Sequence, residues 1–182
     1  MATVAALLAN GFEEVEAVGV IDVLRRGGVE VVIAGVDGEM LTGRNGIVIK
    51  AETSIDTIKA EDFDLIFLPG GAVGTQTLVK DKRVQALLKA MDEKGKQIGA
   101  ICAAPLALHK AGLIRGAYTA YPGTEKEIGG AHRDAKVVTE GNVHTSQGPG
   151  TAICFGLSLL TLLRDASVSA QVKQQVLAED YC

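Results

Sequence analysis

Short, almost wholly apolar runs alternate along this chain with longer segments whose apolar residues recur every three or four positions. Four runs have strand length and are predicted as buried strands: residues 3–8, 29–36, 65–68 and 97–101. The segments with helical periodicity are residues 12–26, 81–95, 103–111, 152–163 and 168–178. Strands that are apolar on both faces are typical of a parallel sheet covered by helices on each side. The alternation therefore predicts an α/β protein with a doubly wound parallel sheet, and no linker or repeat divides the single domain of residues 1–182.

Shorter elements complete this prediction. Residues 40–51 have the pattern of a hairpin, and residues 136–139 and 143–146 are predicted as two strands around a turn. Thr124, with Glu127 three residues later, is a candidate capping box for a short helix. The run 152–163 is apolar on nearly all sides, which predicts a central buried helix.

Composition argues against several classes of protein. A net charge of −4 gives no basis for a nucleic-acid-binding surface, and no apolar run reaches the roughly 20 residues that a membrane span needs. The first residues run into a strand without a basic segment, so no secretory signal is expected. Three cysteines, an odd number without a spacing pattern, argue against disulfides and for a reducing compartment. We therefore expect a soluble cytoplasmic protein with Cys154 in the core and Cys182 mobile.

Cys102 occupies the junction between a predicted strand and a predicted helix. A strand that turns directly into a helix strains its junction residue and directs that side chain out from the end of the sheet. This geometry is that of a nucleophile elbow, and it needs small neighbours, which Ala103 and Ala104 supply. The partial positive charge of a helix N-terminus also favours a thiolate. The position predicts a reactive cysteine, although a small buried core cysteine fits it too.

Two other junctions carry unusual residues, and all three are predicted to lie at the carboxyl edge of the sheet, where ligands bind. Glu13, Glu14 and Glu16 follow the first strand. Acidic residues in the first turn offset the helix dipole, which accounts for one or two of them, whereas Glu16 lies further in and points elsewhere. Gly70 and Gly71 follow the third strand and form either a plain turn or a bare backbone whose N–H faces a reacting oxygen.

No cofactor or metal is indicated by the motifs. The chain lacks a dinucleotide fingerprint, a phosphate-binding loop and a spacing of paired metal ligands. A histidine base for Cys102 is also hard to find. His109 lies seven residues further along the same helix, about 10 Å away. His132 lies in a polar loop, where a surface histidine is the commoner case, and His144 lies in a short strand.

Four segments in order resemble a known family, and the resemblance covers nearly the whole chain. They are Phe12-Glu13-Glu14-Val15-Glu16-Ala17, Leu68-Pro69-Gly70-Gly71, Ala100-Ile101-Cys102-Ala103-Ala104-Pro105 and Thr145-Ser146-Gln147-Gly148-Pro149-Gly150-Thr151. The family is the ThiJ/PfpI superfamily, and within it the branch of the parkinsonism-associated protein deglycases and their YajL-type bacterial relatives. The resemblance implies a flavodoxin-like sandwich and a homodimer.

The same resemblance implies roles for individual residues. Cys102 matches the reactive elbow cysteine, and Glu16 matches the glutamate whose carboxyl hydrogen-bonds its sulfur. Gly71 and Ala103 match the positions whose N–H groups form an oxyanion pocket. Gly70 and Tyr121 are expected to support that pocket.

The activity implied is a glutathione-independent glyoxalase that converts methylglyoxal to lactate, or the repair of glycated adducts. Oxidation of the cysteine to sulfinate and chaperone activity are implied as well, so an oxidation-sensing holdase is the alternative function. Tyr121 replaces the histidine of vertebrate-type members, which weakens a triad mechanism and leaves open whether Tyr121 or His132 transfers protons. Ala103 replaces the histidine of the protease branch, so peptidase activity is not expected. An amidotransferase needs a downstream histidine–carboxylate pair that we do not find.

Overall fold

A seven-stranded sheet forms the centre of the protein, whose computed structural model describes every residue from 1 to 182. The strands are β1 (Thr3–Leu8), β2 (Glu30–Gly35), β3 (Met40–Thr42), β4 (Val48–Lys50), β5 (Thr53–Ser54), β6 (Leu65–Leu68), β7 (Gln97–Ile101), β8 (Ala117–Tyr118), β9 (Ala131–His132), β10 (Val137–Glu140) and β11 (Val143–Ser146). The central sheet has the order β10-β11-β7-β6-β1-β2-β5, while β3–β4 and β8–β9 form two small separate sheets.

All pairs of the central sheet are parallel except the edge pair of β10 with β11. The central sheet is therefore mostly parallel, and its one antiparallel pair is formed by the two short strands predicted around a turn. Only two residues, Gly141 and Asn142, connect these strands, and a connection this short joins only antiparallel neighbours.

Helices cover both faces of this sheet. They are α1 (Glu14–Arg26), α2 (Ala72–Lys80), α3 (Lys82–Glu93), α4 (Pro105–Ala111), α5 (Glu125–Ile128), α6 (Ala152–Leu163) and α7 (Ala166–Gln175). Alternate residues of β1 point to opposite faces, so Val4, Ala6 and Leu8 enter a core of 24 buried residues with α1 and α6. Ala5 and Leu7 enter a second core of 23 buried residues with α3 and α4. The predicted α/β sandwich is confirmed, and no helix is long and apolar enough to cross a membrane.

Most element bounds agree with the periodicity. Strand β6 and helix α6 have the predicted bounds, and the other predicted helices begin or end one to three residues away. Helix α2 was missed because Gly74 and several β-branched residues obscure its pattern. The capping box of Thr124 is wrong, since its side chain makes no cap hydrogen bond, and Glu125 instead accepts one from the N–H of Gly123 at 2.6 Å.

The expectations for two cysteines are also wrong. Cys154 is buried in α6 as predicted, but it forms a disulfide with Cys182, which is therefore held rather than mobile. The chain after α7 turns back along α6, and the N–H groups of Tyr181 and Cys182 both donate to the carbonyl of Ala178. The number and spacing of cysteines carry no information about this return, which brings together residues 28 positions apart.

Helices α1 and α6 are packed through two glycines, and substitutions at these positions are expected to have opposite effects. A Cβ at Gly156 would lie 2.9 Å from the Cβ of Val23, whereas a Cβ at Gly19 would lie at an ordinary 3.5 Å from the Cβ of Ala152. Gly156→Ala is expected to lower the free energy of unfolding by about 1–3 kcal/mol through overpacking. Gly19→Ala is expected to raise it by about 0.5–1 kcal/mol, because alanine loses less backbone entropy in a helix. Urea unfolding of both variants measures the two changes, and shifts of the same sign would contradict this packing.

Candidate active site

Cys102 adopts the strained backbone of the predicted elbow. It directly follows β7 and has φ +67°, a left-handed conformation that only one other non-glycine residue, Leu177, adopts in this chain. Two long-range hydrogen bonds hold this conformation: the N–H of Cys102 donates to the carbonyl of Ser146 at 2.9 Å, and its carbonyl accepts from the N–H of Tyr121 at 2.8 Å. Neighbouring elements thus fix a conformation that is costly for a residue with a Cβ.

Glu16 brings a carboxyl group to the same point from helix α1. Its side chain is fully buried, and its Oε2 accepts a hydrogen bond from the N–H of Gly70 at 2.7 Å. The other oxygen, Oε1, is buried without any hydrogen-bond partner. A Cβ at Gly70 would lie 2.6 Å from Glu16 Oε2 and 3.0 Å from Cys102 Sγ, so the bare backbone of Gly70 touches both side chains. The three predicted junctions therefore meet.

Burial sets the protonation of this carboxyl. Loss of solvent raises the pKa of Glu16 from 4.5 to about 7, although hydrogen bonds with Cys102 and Gly70 and the charge of Arg44 act in the opposite direction. Because this pKa is close to neutral pH, a large fraction of the protein molecules carry a proton on Glu16 at that pH. Glu16 is therefore able to act as a hydrogen-bond donor as well as an acceptor.

The pKa of Cys102 differs from the sequence expectation. Burial, with the charge and hydrogen bond of Glu16, raises the pKa of this thiol to about 12, while the N–H groups of Gly71 and Ala103 lower it. The helix N-terminus does not outweigh burial, because α4 has only seven residues and begins at Pro105, three positions beyond the sulfur. A thiolate therefore requires that Glu16 holds the proton that the sulfur releases.

The two neighbouring glutamates do more than offset the dipole of α1. Both are buried, and Glu13 caps the helix by accepting from the N–H of Glu16 at 2.8 Å. Glu14 accepts from the backbone N–H of Asn45 at 2.6 Å and from its side chain at 3.0 Å, which fixes the β3–β4 turn. Burial alone would raise the pKa of Glu14, but these and other hydrogen bonds bring it below its usual value. The negative charge of Glu14 therefore fastens the turn to the start of α1.

This turn supplies Arg44, a site residue that sequence reasoning missed. Arg44 donates its backbone N–H to the carbonyl of Phe12 at 2.9 Å, and its positive charge lowers the pKa of Glu16. Its side chain forms no ion pair with any acidic residue. No pattern in the sequence connects the hairpin with the first helix, because the connection runs through Glu14 in three dimensions.

Tyr121 borders the same site. A Cβ at Gly148 would lie 3.2 Å from the Tyr121 ring and 4.0 Å from Glu16 Oε1, so the ring and the carboxyl flank one glycine. The Tyr121 side chain is half exposed, which places it between the buried carboxyl and solvent. The geometry brings Gly70, Gly71, Ala103 and Tyr121 to Cys102 or Glu16.

The histidines are not part of this cluster. His132 packs edge-on against the ring of Tyr118, with ring centroids 5.5 Å apart. His144 is held between Thr139 Oγ1 at 2.9 Å and Gln97 Oε1 at 2.8 Å, and burial lowers its pKa to about 4, so it is neutral. His109 is exposed on α4. None of them forms a hydrogen bond with Cys102 or Glu16.

The fold is a mostly parallel α/β sandwich. A strained cysteine lies at the carboxyl end of a central strand, and a buried glutamate lies beside it. These features together define the flavodoxin-like proteins that carry an elbow cysteine. Residues 2–162 match the model of the DJ-1/PfpI family. The chain belongs to this family.

Named relatives agree with this assignment. The chain is 38% identical to the Parkinson disease protein 7 homolog of Danio rerio over 96% of both chains. It is 33% identical to Deglycase PH1704 of Pyrococcus horikoshii, over 87% of this chain and 97% of the relative. The solved structure of oxidized Toxoplasma gondii DJ-1 superposes with a TM-score of 0.92 at 34% identity, over 97% of this chain and 98% of that one.

The raised pKa of Glu16 predicts a specific dependence of stability on pH. A folded-state pKa of about 7 against 4.5 stabilises the fold fully below pH 4.5, and this contribution is lost as pH rises through 7. Glu16→Gln cannot ionise, so from pH 5 to pH 8 the variant is expected to gain about 2–3 kcal/mol relative to the unchanged protein. The measurement is the free energy of unfolding in urea at both pH values.

Comparison with the variant isolates Glu16 from other groups. The depressed pKa of His144 acts in the opposite direction, stabilising the fold as pH rises through 4 to 6.5, but it acts equally in both proteins. The raised pKa of Cys102 changes the free energy of unfolding only above pH 9. A difference between the two proteins that does not change with pH would mean that Glu16 ionises in the folded state as it does in the unfolded chain.

Proposed function

We propose that this protein is a cysteine-dependent, glutathione-independent glyoxalase or deglycase that acts on methylglyoxal or its adducts. The observation that carries the proposal is the buried carboxyl of Glu16, whose Oε1 has no hydrogen-bond partner and whose Oε2 borders the Gly70 backbone together with the sulfur of the elbow residue Cys102. A buried carboxyl with a raised pKa next to a nucleophile is the arrangement that proton-transfer chemistry needs. The relative named Deglycase PH1704 supports an enzymatic role.

The first step of the proposed mechanism is a proton transfer inside the pair. Glu16 takes the proton of the Cys102 thiol, which leaves a thiolate opposite a neutral carboxyl. The N–H groups of Gly71 and Ala103 stabilise this thiolate, since both lower the pKa of the sulfur. The pair needs no histidine, because Glu16 already has a pKa near 7.

The second step forms a carbon–sulfur bond. The thiolate attacks the aldehyde carbon of methylglyoxal, and the carbonyl electron pair moves to oxygen to give a hemithioacetal alkoxide. The N–H groups of Gly71 and Ala103, released from the sulfur as its charge is lost, are the donors available to this oxygen. Glu16 then supplies the proton that neutralises it.

The last steps move a hydrogen between adjacent carbons. Glu16, ionised again, removes the proton from the carbon bonded to sulfur, and the electrons shift to the neighbouring ketone to give an enediolate. Return of this proton to the neighbouring carbon, with passage of the hydroxyl proton of the first carbon to the oxygen of the second, produces a lactoyl thioester on Cys102. Water then cleaves this thioester, so that one methylglyoxal and one water give one lactic acid and the free thiol. Tyr121 borders the site where these groups would lie.

The test is lactate formation from methylglyoxal without glutathione. Cys102→Ala is expected to abolish turnover, and Glu16→Gln to lower kcat/KM by about 100-fold or more, because the variant keeps an acceptor for Gly70 but carries no mobile proton. Glu93→Gln, an equal change on an exposed position of α3, is the control and should retain full activity. Full turnover by Glu16→Gln would refute the proton shuttle, and no turnover by the unchanged protein would refute the glyoxalase assignment.

The second candidate function is an oxidation sensor that acts as a holdase. Its supporting observation is that the N–H groups of Gly71 and Ala103 face the sulfur while Glu16 is able to donate a proton. These three donors match the oxygens of a sulfinate, and the similar Toxoplasma gondii protein has been solved in an oxidized form. Two equivalents of peroxide convert the thiol to sulfinate with release of two waters.

Mild peroxide treatment tests this alternative. The three cysteines fall in separate tryptic peptides, residues 97–110, 137–164 and 174–182, so mass spectrometry resolves each of them. Cys102 is expected to be converted to sulfinate before any further oxidation of Cys154 or Cys182, and Glu16→Gln is expected to slow this conversion because a donor to the sulfinate is changed. Oxidation of either other cysteine first would exclude the sensor.

A further inference from the structure

The end of the sequence forms a second sulfur site, separate from Cys102. The disulfide of Cys154 and Cys182 borders a surface groove of about 390 Å³. Lys136, Lys173, Ser158 and Thr161 are among its lining residues, and no carboxylate side chain lines it. The groove therefore places two lysines beside a reducible bond.

The two residues of this disulfide are unequally exposed. Cys154 is 7% exposed within α6, whereas Cys182 is an exposed residue. We therefore expect an incoming thiolate to attack the Cys182 sulfur, with Cys154 as the leaving group. Access and the choice of the attacked sulfur determine the rate of thiol–disulfide exchange.

The positive charges of the two lysines determine which thiols enter the groove most readily. The Lys136 ammonium lies 4.2 Å from the centre of the Tyr181 ring and donates to the Tyr181 carbonyl, so it is partly engaged. Lys173 is half-buried and forms no ion pair. Its charge is free to attract a carboxylate-bearing thiol to the groove.

We propose that the Cys154–Cys182 disulfide is an exchange site for anionic low-molecular-weight thiols, and that Cys182 carries the resulting mixed disulfide. The thiolate of the small molecule bonds to Cys182 Sγ, the Cys154–Cys182 bond breaks, and Cys154 leaves with the electron pair and takes a proton from water. A second thiol then attacks the small-molecule sulfur, which gives the free small-molecule disulfide and the Cys182 thiol. Two thiols are oxidised and one protein disulfide is reduced. Disulfides that exchange with small thiols in this way are the kind found in reducing compartments.

Thiol–disulfide exchange at this site changes the interactions that fix the tail, which we define as residues 176–182, to the rest of the protein. In the bridged form the Tyr181 hydroxyl donates to the carbonyl of Gly150. Gly150 belongs to the turn that also contains Gly148, against which Tyr121 and Glu16 lie. Opening the disulfide leaves this contact without its covalent support. The proposal rests on the groove and its charges, and it holds whether or not Cys102 is an enzyme nucleophile.

The experiment measures reduction of the oxidised protein by reduced glutathione and, in parallel, by neutral 2-mercaptoethanol. Acid quenching, alkylation and tryptic mapping follow the peptides 137–164 and 174–182 over time, and in Lys173→Gln the second peptide becomes 165–182 because the substitution removes a cleavage site. Glutathione is expected to appear first on the Cys182 peptide. Lys173→Gln is expected to lower the rate constant with glutathione about two- to fivefold and to leave the rate with 2-mercaptoethanol unchanged, because it removes one charge close to the bond.

The matched control is Lys89→Gln, which removes one charge from an exposed position of α3 and is expected to change neither rate. Equal glutathione rates for the two lysine variants would overturn the charge selection. Glutathione attached first to Cys154 or only to Cys102, or the absence of the disulfide from the oxidised protein, would overturn the site itself. Because both substitutions lie on exposed or half-buried helix positions, thermal unfolding of each variant confirms that the fold is retained.

Discussion

The burial of the Glu16 carboxyl is the constraint on which the rest of the site depends. A carboxyl removed from water needs donors, and the only fixed donor that it meets is the N–H of Gly70, at the end of β6. Cys102 approaches from β7, the neighbour of β6 in the sheet. The sheet order therefore brings donor, carboxyl and sulfur together, and burial of the carboxyl, whose Oε1 has no hydrogen-bond partner, gives it its raised pKa. A fully paired carboxylate at this position would hold no proton to transfer.

Such close approach requires residues without a Cβ. Gly71 has φ +93°, and a Cβ there would collide with the carbonyl of Gly11, so the loop after β6 lies directly on the loop after β1. Gly70 stands between Glu16 and Cys102 for the same reason. These glycines lose more entropy on folding than other residues do, and the packed α1–α6 face offsets that loss. The close contacts of the site therefore depend on glycines that lower the stability of the local backbone.

Periodicity predicted the parts of the fold that depend on burial alone. Strand β6 and helix α6 were placed correctly because the strand is apolar throughout and the helix on nearly all sides, and the elbow at Cys102 followed from a strand directly preceding a helix. Glu16 was singled out because its angle on the helix differs from that of Glu13 and Glu14. Periodicity could not show that burial outweighs the helix N-terminus at the sulfur, since that balance depends on the depth of the pocket. The disulfide, helix α2 and the role of Glu14 in fastening the β3–β4 turn depend on contacts between distant segments. The homodimer and the cytoplasmic location stay predictions, because a single chain does not test them.

The two sulfur sites differ in ways that separate their chemistry. Cys102 is 8% exposed and lies beside the buried carboxyl of Glu16. Cys182 is an exposed residue in a disulfide and shares a surface groove with Lys136 and Lys173. The two sites therefore differ in burial and in the sign of the neighbouring charge, both of which affect the reactivity of sulfur. The turn from Gly148 to Thr151 is shared by both, since Gly148 borders Glu16 and Gly150 accepts from Tyr181. The tail and the carboxyl of Glu16 therefore lie against the same turn, although the sulfurs of the two sites belong to different elements.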